Sequence, residues 1–404
     1  MKIVKPYILK FIRIIYCVVL CFLLNSCVEE IEFELDNFEN YLVVEAGITN
    51  ELKHQQVRLT RTYDLDETIE NNVEQNARVQ IVTGNGEVFE FRESQDGIYE
   101  SEIEFQAVPG VSYQLIIVTT TGEEYISSPE ELLPASTIED VEVERRVLDG
   151  EDGLVISVNT SGAATDSDYY RFEYEETYQI VSRYRYGSDL EYDAARDTIP
   201  YEVFKDYEEH ICYNTSLSNE LILGSTTDLS DNNLQNKLVH FIPVRDPKIS
   251  FRYSILVKQY SLSQAHYNYL RTLQEMSLSN NLFSQTQPGF LNGNIESSDG
   301  QQEAIGLFTV SSVSTKRRFF DFDDYHTTAD TRTYFATDCR ITTVDLFNPV
   351  ALEALISQVV AGEVKLVGII PSGVPGIVNY EVTTPSCVDC RYWGDLEPPE
   401  FWED

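Results

Sequence analysis

Cys27 is the cysteine of this chain whose thiol is placed for chemical modification during export. Four basic residues lie within the first thirteen positions, and an apolar run follows over residues 14–24. That run is too short for the roughly 20 residues of a membrane-spanning helix. A basic start, a short apolar core and small residues before the cut are typical of a secretory signal peptide, so residues 1–26 are predicted to be removed.

Residues 24–27, Leu-Asn-Ser-Cys, resemble the lipobox that lipoprotein-processing enzymes recognise. The resemblance implies that Cys27 is acylated and becomes the first residue of the mature chain. An uncleaved membrane anchor and an ordinary signal peptide are the alternatives. Bacterial lipoproteins carry two or three acyl chains, and each buried methylene contributes about 0.8 kcal/mol, so this anchor would be effectively permanent.

Residues 27–40 are predicted to form an acidic tether. Glu29 and Glu30 almost directly follow the cysteine, and four more acidic residues follow by position 39. The acidic run resembles the export signal that sends Bacteroidota lipoproteins to the outer face of the outer membrane. A solvated tether is the alternative, and both can hold, because a charged and weakly apolar linker stays extended.

Four cysteines remain after the signal peptide and the lipid site are set aside. An even number in an oxidising compartment predicts disulfides, with three connectivities open. A redox pair and half of a zinc site are the competing interpretations of the C-x-x-C spacing. Prolines follow the pair, which is poor context for a redox helix, and the other two cysteines are too far apart in sequence to form the second close pair of a zinc site. The disulfide candidates are Cys212, Cys339, Cys387 and Cys390.

Catalytic and metal-binding motifs are not found in the sequence. It contains no G-x-S-x-G, H-E-x-x-H or Walker loop, and its five histidines are scattered. An acidic cluster from Asp321 to Asp330 could gather around calcium, but its spacing matches no EF-hand, so a solvated loop is favoured. The basic triplet at residues 316–318 is expected to pair with that cluster. We therefore predict no catalytic, cofactor or metal site and a non-enzymatic protein.

The charge balance limits the partners. Removing residues 1–26 takes away four positive charges, so the formal charge changes from −38 to −42. A field of this sign repels phosphate, so nucleic acid is excluded as a partner. Aromatic residues are abundant, with 25 Tyr and 20 Phe, which suits strands.

Hydrophobic alternation predicts a mainly β protein. Short strands separated by turns such as Asn85-Gly86 occupy residues 41–135 and indicate an immunoglobulin-like β-sandwich. Prolines near residue 134 mark a boundary. Residues 136–404 are predicted to form a second β-rich domain with a helix near 263–277 and a shorter one after Pro349.

A tyrosine-rich segment, residues 184–210, is the candidate contact surface and is predicted to be an inserted loop or extended hairpin. Tyrosine is enriched at interfaces, but alternating strand positions facing a core would explain the same residues. Both interpretations stay open. The tyrosines are Tyr184, Tyr186, Tyr192, Tyr201 and Tyr207.

Six segments together resemble the Bacteroidota lipoprotein family catalogued as domain of unknown function 4249. The resemblance covers nearly the whole mature chain and implies an outer-membrane or surface lipoprotein that often accompanies a TonB-dependent transporter. It supplies no catalytic residues. The segments are residues 41–49 (YLVVEAGIT), 96–99 (DGIY), 259–263 (QYSLS), 287–295 (QPGFLNGNI), 387–391 (CVDCR) and 399–402 (PEFW).

These observations predict a lipid-anchored, surface-exposed accessory or binding protein. It would contact the membrane through the lipid on Cys27 and assist a TonB-dependent outer-membrane transporter in nutrient uptake. The alternatives are a structural or adhesive surface protein and, more weakly, a secreted hydrolase.

Overall fold

The computed structural model describes residues 40–63, 72–162, 167–195, 200–205, 208–229, 233–278, 293–300, 304–374 and 378–403. The predicted signal peptide, Cys27, Glu29, Glu30 and nearly all of the predicted tether lie outside these ranges. None of the helices in the described ranges has both the length and the apolar character needed to span a membrane.

The described residues are mainly β, as predicted. Alternation sets the strands: in β6, for example, every second residue is buried. The strands are β1 Leu42–Thr49, β2 Gln56–Arg61, β3 Arg78–Thr83, β4 Val88–Gln95, β5 Ile98–Ser101, β6 Ser112–Val118, β7 Glu124–Ser127, β8 Glu130–Glu131, β9 Thr137–Leu148, β10 Glu151–Ser161, β11 Tyr169–Val181, β12 Ser188–Glu191, β13 Tyr201–Phe204, β14 Ile211–Leu217, β15 Ile222–Ser225, β16 Lys237–Pro243, β17 Tyr253–Leu262, β18 Ile295–Ser297, β19 Ala304–Ser311, β20 Val313–Phe320, β21 Thr342–Val344, β22 Lys365–Pro371 and β23 Val378–Thr383.

Three α-helices accompany the strands in the described ranges. The helix expected near 263–277 lies at Gln264–Leu278 (α1), where the Ser263 hydroxyl accepts a hydrogen bond from the His266 amide at 3.2 Å. A single turn, α2, spans Phe322–Tyr325. The helix after Pro349 spans Pro349–Ala361 (α3), capped by Asn348 at its start and by Gly362 in the left-handed region at its end.

The first sheet has ten strands around one apolar core. Its order is β18-β7-β6-β3-β4-β5-β2-β1-β19, with β8 on β6. The hairpin predicted at Asn85-Gly86 joins β3 and β4 in antiparallel register. Two strands arrive from far along the chain: β19 pairs in parallel with β1, and β18 pairs with β7. β18 and β19, which fall in the range assigned from the sequence to the C-terminal domain, therefore complete the first sheet.

The two edges of this sheet meet at Asn294. Its side-chain amide donates to the Phe308 carbonyl at 2.8 Å and accepts from the Phe308 amide at 2.8 Å, while its own carbonyl accepts from the Ser128 amide. One side chain thus substitutes for a pairing strand. On its other side, β19 lies close to β1: a Cβ on Gly306 would lie 1.9 Å from the Val44 carbonyl oxygen, and the φ of Gly306 is +138°.

The second β unit is built from two sheets that share one apolar cluster. The three-stranded sheet β16-β10-β9 and the five-stranded sheet β14-β11-β17-β20, with β15 on β11, both contribute to it. Tyr170, Phe172 and Tyr253 fill its centre. The thirteen-residue β11 is the central strand, because it pairs with three others.

A third, smaller apolar cluster joins the remaining elements. The hairpin β12-β13, helix α3 and the sheet β21-β23-β22 all contribute side chains, with Leu355 and Leu366 fully buried. The tyrosine-rich segment therefore does form a hairpin, and it lies against this small unit.

Candidate functional site

The four cysteines form two disulfides. Cys212 bonds to Cys390 and Cys339 bonds to Cys387, which settles the connectivity. The two cysteines of the C-x-x-C spacing thus have different distant partners, and the pair is structural in this state. The bonds close loops of 178 and 48 residues and fasten the C-terminal segment to β14 and to the loop before β21.

A cleft of about 180 Å³ lies beside these disulfides. Residues 185–187 form one wall, Lys205 and residues 208–210 form the other, and Val388 belongs to the disulfide turn. The lining is mostly charged or polar. The cleft therefore falls within the segment that the sequence marked as a contact surface, and its size suits a small polar molecule.

Glu209 holds the base of this cleft. Its side chain is only 4% exposed and pairs with Lys205 on the hairpin side. It also lies 3.6 Å from the Lys365 ammonium and 3.4 Å from the Arg391 guanidinium. Burying one carboxylate costs free energy unless it is paired, and three cations compensate it here.

The cations of this network have further acidic partners. Lys365 also pairs with Asp189 of β12, and Arg391 donates to Asp389 at 2.7 Å. Burial alone would raise the pKa of Asp389, but the hydrogen bonds from Arg391 hold it below its ordinary value. The network joins the hairpin, the small sheet and the disulfide turn. Sequence reasoning missed it, although Arg391 inside the CVDCR segment was a visible signal.

His210 is the residue of the cleft with acid–base chemistry. Its Nδ1 lies 2.6 Å from the Ser182 hydroxyl, which in turn donates to the Tyr184 carbonyl at 3.1 Å. Because the hydroxyl has one proton, we assign Nδ1–H as the donor to Ser182, which leaves Nε2 as an acceptor. Burial and the charge of Arg185 lower the pKa of His210, although Glu208 opposes this. The imidazole is therefore neutral at pH 7 and can accept a hydrogen bond from a ligand.

Ser182 is 6% exposed and its hydroxyl is directed to the backbone, so it positions His210. The hydrogen bond with Ser182 therefore holds the His210 imidazole in place. Ligand binding is the chemistry that this arrangement supports.

The tyrosines of residues 184–210 divide between the two interpretations. Tyr184 donates its hydroxyl to the Cys339 carbonyl at 3.1 Å, and Tyr186 packs against the third apolar cluster. These two are structural. Tyr201 is 36% exposed beside Phe204, which is 83% exposed, so the β13 edge offers apolar surface to solvent. Tyr192 is half-buried, and Tyr207 lies outside the described residues.

The acidic cluster from Asp321 to Asp330 is divided among separate partners. Asp321 pairs with Arg252 at 2.7 Å, and Asp330 pairs with Arg145 at 2.8 Å. Asp323 lies 3.2 Å from Arg332, and Asp324 accepts from the Asp321 amide. Among the residues that the structure describes, no three His, Cys, Asp or Glu side chains gather as a metal site.

The basic triplet does not pair with that cluster, contrary to the prediction. Lys316 lies 3.8 Å from Asp140, and Arg317 lies 2.9 Å from Glu175. β20 pairs with β17 and lies beside β9. Its basic side chains therefore reach Asp140 of β9 and, across β17, Glu175 of β11, and not the loop that follows.

Comparison with known proteins gives the chain a family assignment by sequence but none by structural similarity. A family model described as Domain of unknown function (DUF4249) matches residues 28–317. No curated protein matches the chain.

Two solved structures are distantly similar. A DUF4785 family protein from Legionella pneumophila is 7% identical, with a TM-score of 0.19, over 55% of this chain and 52% of that one. A trypsin-activated alpha-2-macroglobulin from Escherichia coli is 10% identical, with a TM-score of 0.18, over 56% of this chain and 15% of that one. The chain thus spans about half or less of each, and neither likeness bears on its fold or function.

Proposed function

The chain belongs to the DUF4249 family, and from this premise we propose that it is a lipid-anchored accessory protein of the outer membrane. It stands on the cell surface and assists a TonB-dependent transporter in the capture of a small polar nutrient. It has a binding role and no catalytic one.

The position of Cys27 is the single observation that carries this proposal. The cysteine follows a basic start and a short apolar run, and six acidic residues follow it before residue 40. Two disulfides beyond it suit an oxidising compartment. A thioether-linked lipid would hold the acidic body at the membrane without any need for electrostatic adsorption.

Ligand capture is supported by the cleft at His210. Its neutral imidazole offers an acceptor, and Arg185 and Glu208, which pair with each other at 2.8 Å, add a cation and an anion within about 180 Å³. A small molecule with both donor and acceptor groups fits this set. The cleft lies beside the exposed β13 edge, so one side of the third, smaller unit can serve both ligand and partner.

Cys27→Ala tests the anchor. We expect the variant to move from the membrane to the soluble fraction, while Ser26→Ala, which keeps a small residue before the cut, stays with the membrane. Mass spectrometry of the amino terminus gives the chemical readout. Retention of Cys27→Ala in the membrane, or an unacylated mature terminus in the parent protein, contradicts the anchor.

Replacing Glu29 and Glu30 by Ala tests surface exposure. Protease shaving of intact cells should cleave less of this variant than of the parent, because the acidic export signal is lost. The conservative Glu29→Asp and Glu30→Asp pair keeps the charge and should be cleaved like the parent. Equal shaving of all three rejects the surface assignment.

Extraction in mild detergent tests the partnership. A β-barrel protein should co-purify in a one-to-one ratio. If the anchored protein is recovered alone after crosslinking, the transporter role fails.

A second function, adhesion to another protein, is favoured by one observation. Phe204 is 83% exposed on a hairpin edge, which is unusual for phenylalanine. Phe204→Ser should leave nutrient uptake unchanged and reduce cell attachment if adhesion is the role.

A further inference from the structure

The C-terminal strap, residues 384–403, is fixed to the second β unit along its length. Disulfides hold it at Cys387 and Cys390. Asp395 exchanges two backbone hydrogen bonds with Tyr213 of β14, at 2.7 and 2.8 Å. The Trp402 ring lies edge-on to Tyr213 at 5.0 Å, between centroids. The strap is therefore preorganised, and a surface on it can bind a partner with little further cost in ordering.

An open cleft of about 660 Å³ lies on the outer side of this strap. Residues 394–400 and Arg391 line it, and the apolar part of the lining comes from Leu396, Pro398 and Pro399. Leu396 is 37% exposed. The adjoining Tyr392 and Trp393 are 59% and 37% exposed. Tyrosine and tryptophan are the side chains most often found at the centres of binding surfaces.

The rim of the cleft is acidic and uncompensated. Asp395, Glu397 and Glu400 are exposed, and none of these three carboxylates has a cationic side chain within 4.0 Å among the residues that the structure describes. The cation in the lining is Arg391, and it already pairs with Asp389 and Glu209. The cleft thus combines apolar walls with an unopposed negative charge.

We propose that this cleft binds an extended peptide segment in which a lysine or arginine stands next to an apolar side chain. The apolar side chain would pack against Leu396 and the prolines, while the cation would pair with Glu397 or Glu400. Pro398 and Pro399 have no backbone N–H, so recognition rests on side chains and not on strand pairing. The same charge repels phosphate and anionic lipid headgroups. This inference does not depend on lipid attachment or on the cleft at His210.

The test uses the full-length protein and a dye-labelled peptide, Gly-Lys-Leu-Lys-Leu-Gly, with fluorescence anisotropy as the readout. The strap variant is Glu397→Lys with Glu400→Lys. The matched control is Glu142→Lys with Glu144→Lys, two exposed positions on β9 that change the total charge equally. We expect the strap variant to bind about tenfold more weakly and the control to change by less than about twofold.

Leu396→Ser separates the apolar contribution from charge, because it leaves the acidic rim intact. It should weaken binding at least about threefold, and raised salt should not restore it. Unchanged tryptophan fluorescence verifies that each variant keeps the strap in place. Equal losses in the strap and control variants would show that the general field alone attracts the peptide and would overturn the proposal. Failure of the parent protein to bind the peptide at millimolar concentration would overturn it as well.

Discussion

Glu176 offers the sharpest test of how charge is buried in the second β unit. Its side chain is 5% exposed, and it accepts hydrogen bonds from Lys248 at 2.5 Å, Tyr253 at 2.7 Å and Ser216 at 2.9 Å. Burial by itself would raise the pKa of Glu176, but hydrogen bonds from His240, Lys248 and Tyr253 reverse that effect and lower it to about 2.

The size of the effect follows from linkage. A pKa of about 2 against an ordinary value of 4.5 corresponds to about 3 kcal/mol of stability from the ionised carboxylate. Because the folded-state pKa is depressed, this stability is fully present above pH 4.5 and is lost as the pH falls toward 2. Glu176→Gln should therefore lower the free energy of unfolding by about 3 kcal/mol at pH 7, and the deficit should shrink between about pH 4.5 and 2.

Urea unfolding followed by tryptophan fluorescence isolates the relevant unit. The chain has two tryptophans, and both lie on the C-terminal strap: Trp402 contacts Tyr213 and Phe319, and Trp393 lies 5.8 Å from Phe335, between ring centroids. Their emission reports on the second β unit and not on the first sheet. The midpoint of unfolding is measured for the parent protein and for Glu176→Gln at about pH 7, 5 and 3. The difference between the two midpoints, multiplied by the mean slope of the two transitions, gives the difference in the free energy of unfolding.

Glu144→Gln is the matched control. Glu144 is 67% exposed and lies 3.4 Å from Arg146, so the same chemical change should alter stability by less than about 0.5 kcal/mol. A Glu176→Gln deficit below about 1 kcal/mol at pH 7 would refute the assignment of a paired, ionised carboxylate. A deficit that stays constant down to about pH 3 would do the same.

Three further predictions concern the pairing of β19 with β1 in the first sheet, the disulfides and the cleft at His210. Gly306→Ala should destabilise the first sheet by about 2 kcal/mol or more, because the new Cβ would lie 1.9 Å from a β1 carbonyl; hydrogen exchange of β1 measures this. Cys339→Ser should lower the thermal midpoint, since losing a crosslink that closes 48 residues costs up to about 4 kcal/mol. NMR titration should show the pKa of His210 below its ordinary value, rising when Arg185 becomes Gln and falling when Glu208 becomes Gln.

Each of these has an internal comparison. Gly86→Ala, at a turn with φ +85° and no atom within 4 Å of the new Cβ, should cost less than Gly306→Ala. Equal costs would mean that β19 does not lie close against β1 at Gly306. Cys212→Ser should cost more than Cys339→Ser, because its loop is longer. Shifts of the His210 pKa in the same direction for both neighbours would contradict the electrostatic account.

The strands and the oxidised cysteines could be predicted from sequence because their signals are local. Alternation over β6 and the Asn85-Gly86 turn need only a few residues of context. The return of β18 and β19 to the first sheet could not be predicted, because β19 pairs in parallel with β1 from a position far along the chain. No turn signal marks a parallel partner.

Glu209 shows why only part of the candidate site could be predicted from the sequence. As one of 67 acidic residues it has no distinguishing neighbour in the sequence, and its three cations come from positions 205, 365 and 391. The tyrosines around it stood out by composition, whereas the charges that shape the cleft are defined by where distant elements meet.

Polar side chains connect the structural units of this protein, whereas each unit has an apolar cluster of its own. Asn294 closes the first sheet, Gln259 and Ser136 meet between the two β units, and Glu209 binds the hairpin to the strap. These polar contacts depend on geometry more strongly than apolar contacts do, because a buried polar group without a hydrogen-bond partner costs about 1–3 kcal/mol. Hydrophobic patterns in the sequence therefore identify the individual structural units. How the units are placed against one another depends on a few polar side chains that composition does not distinguish.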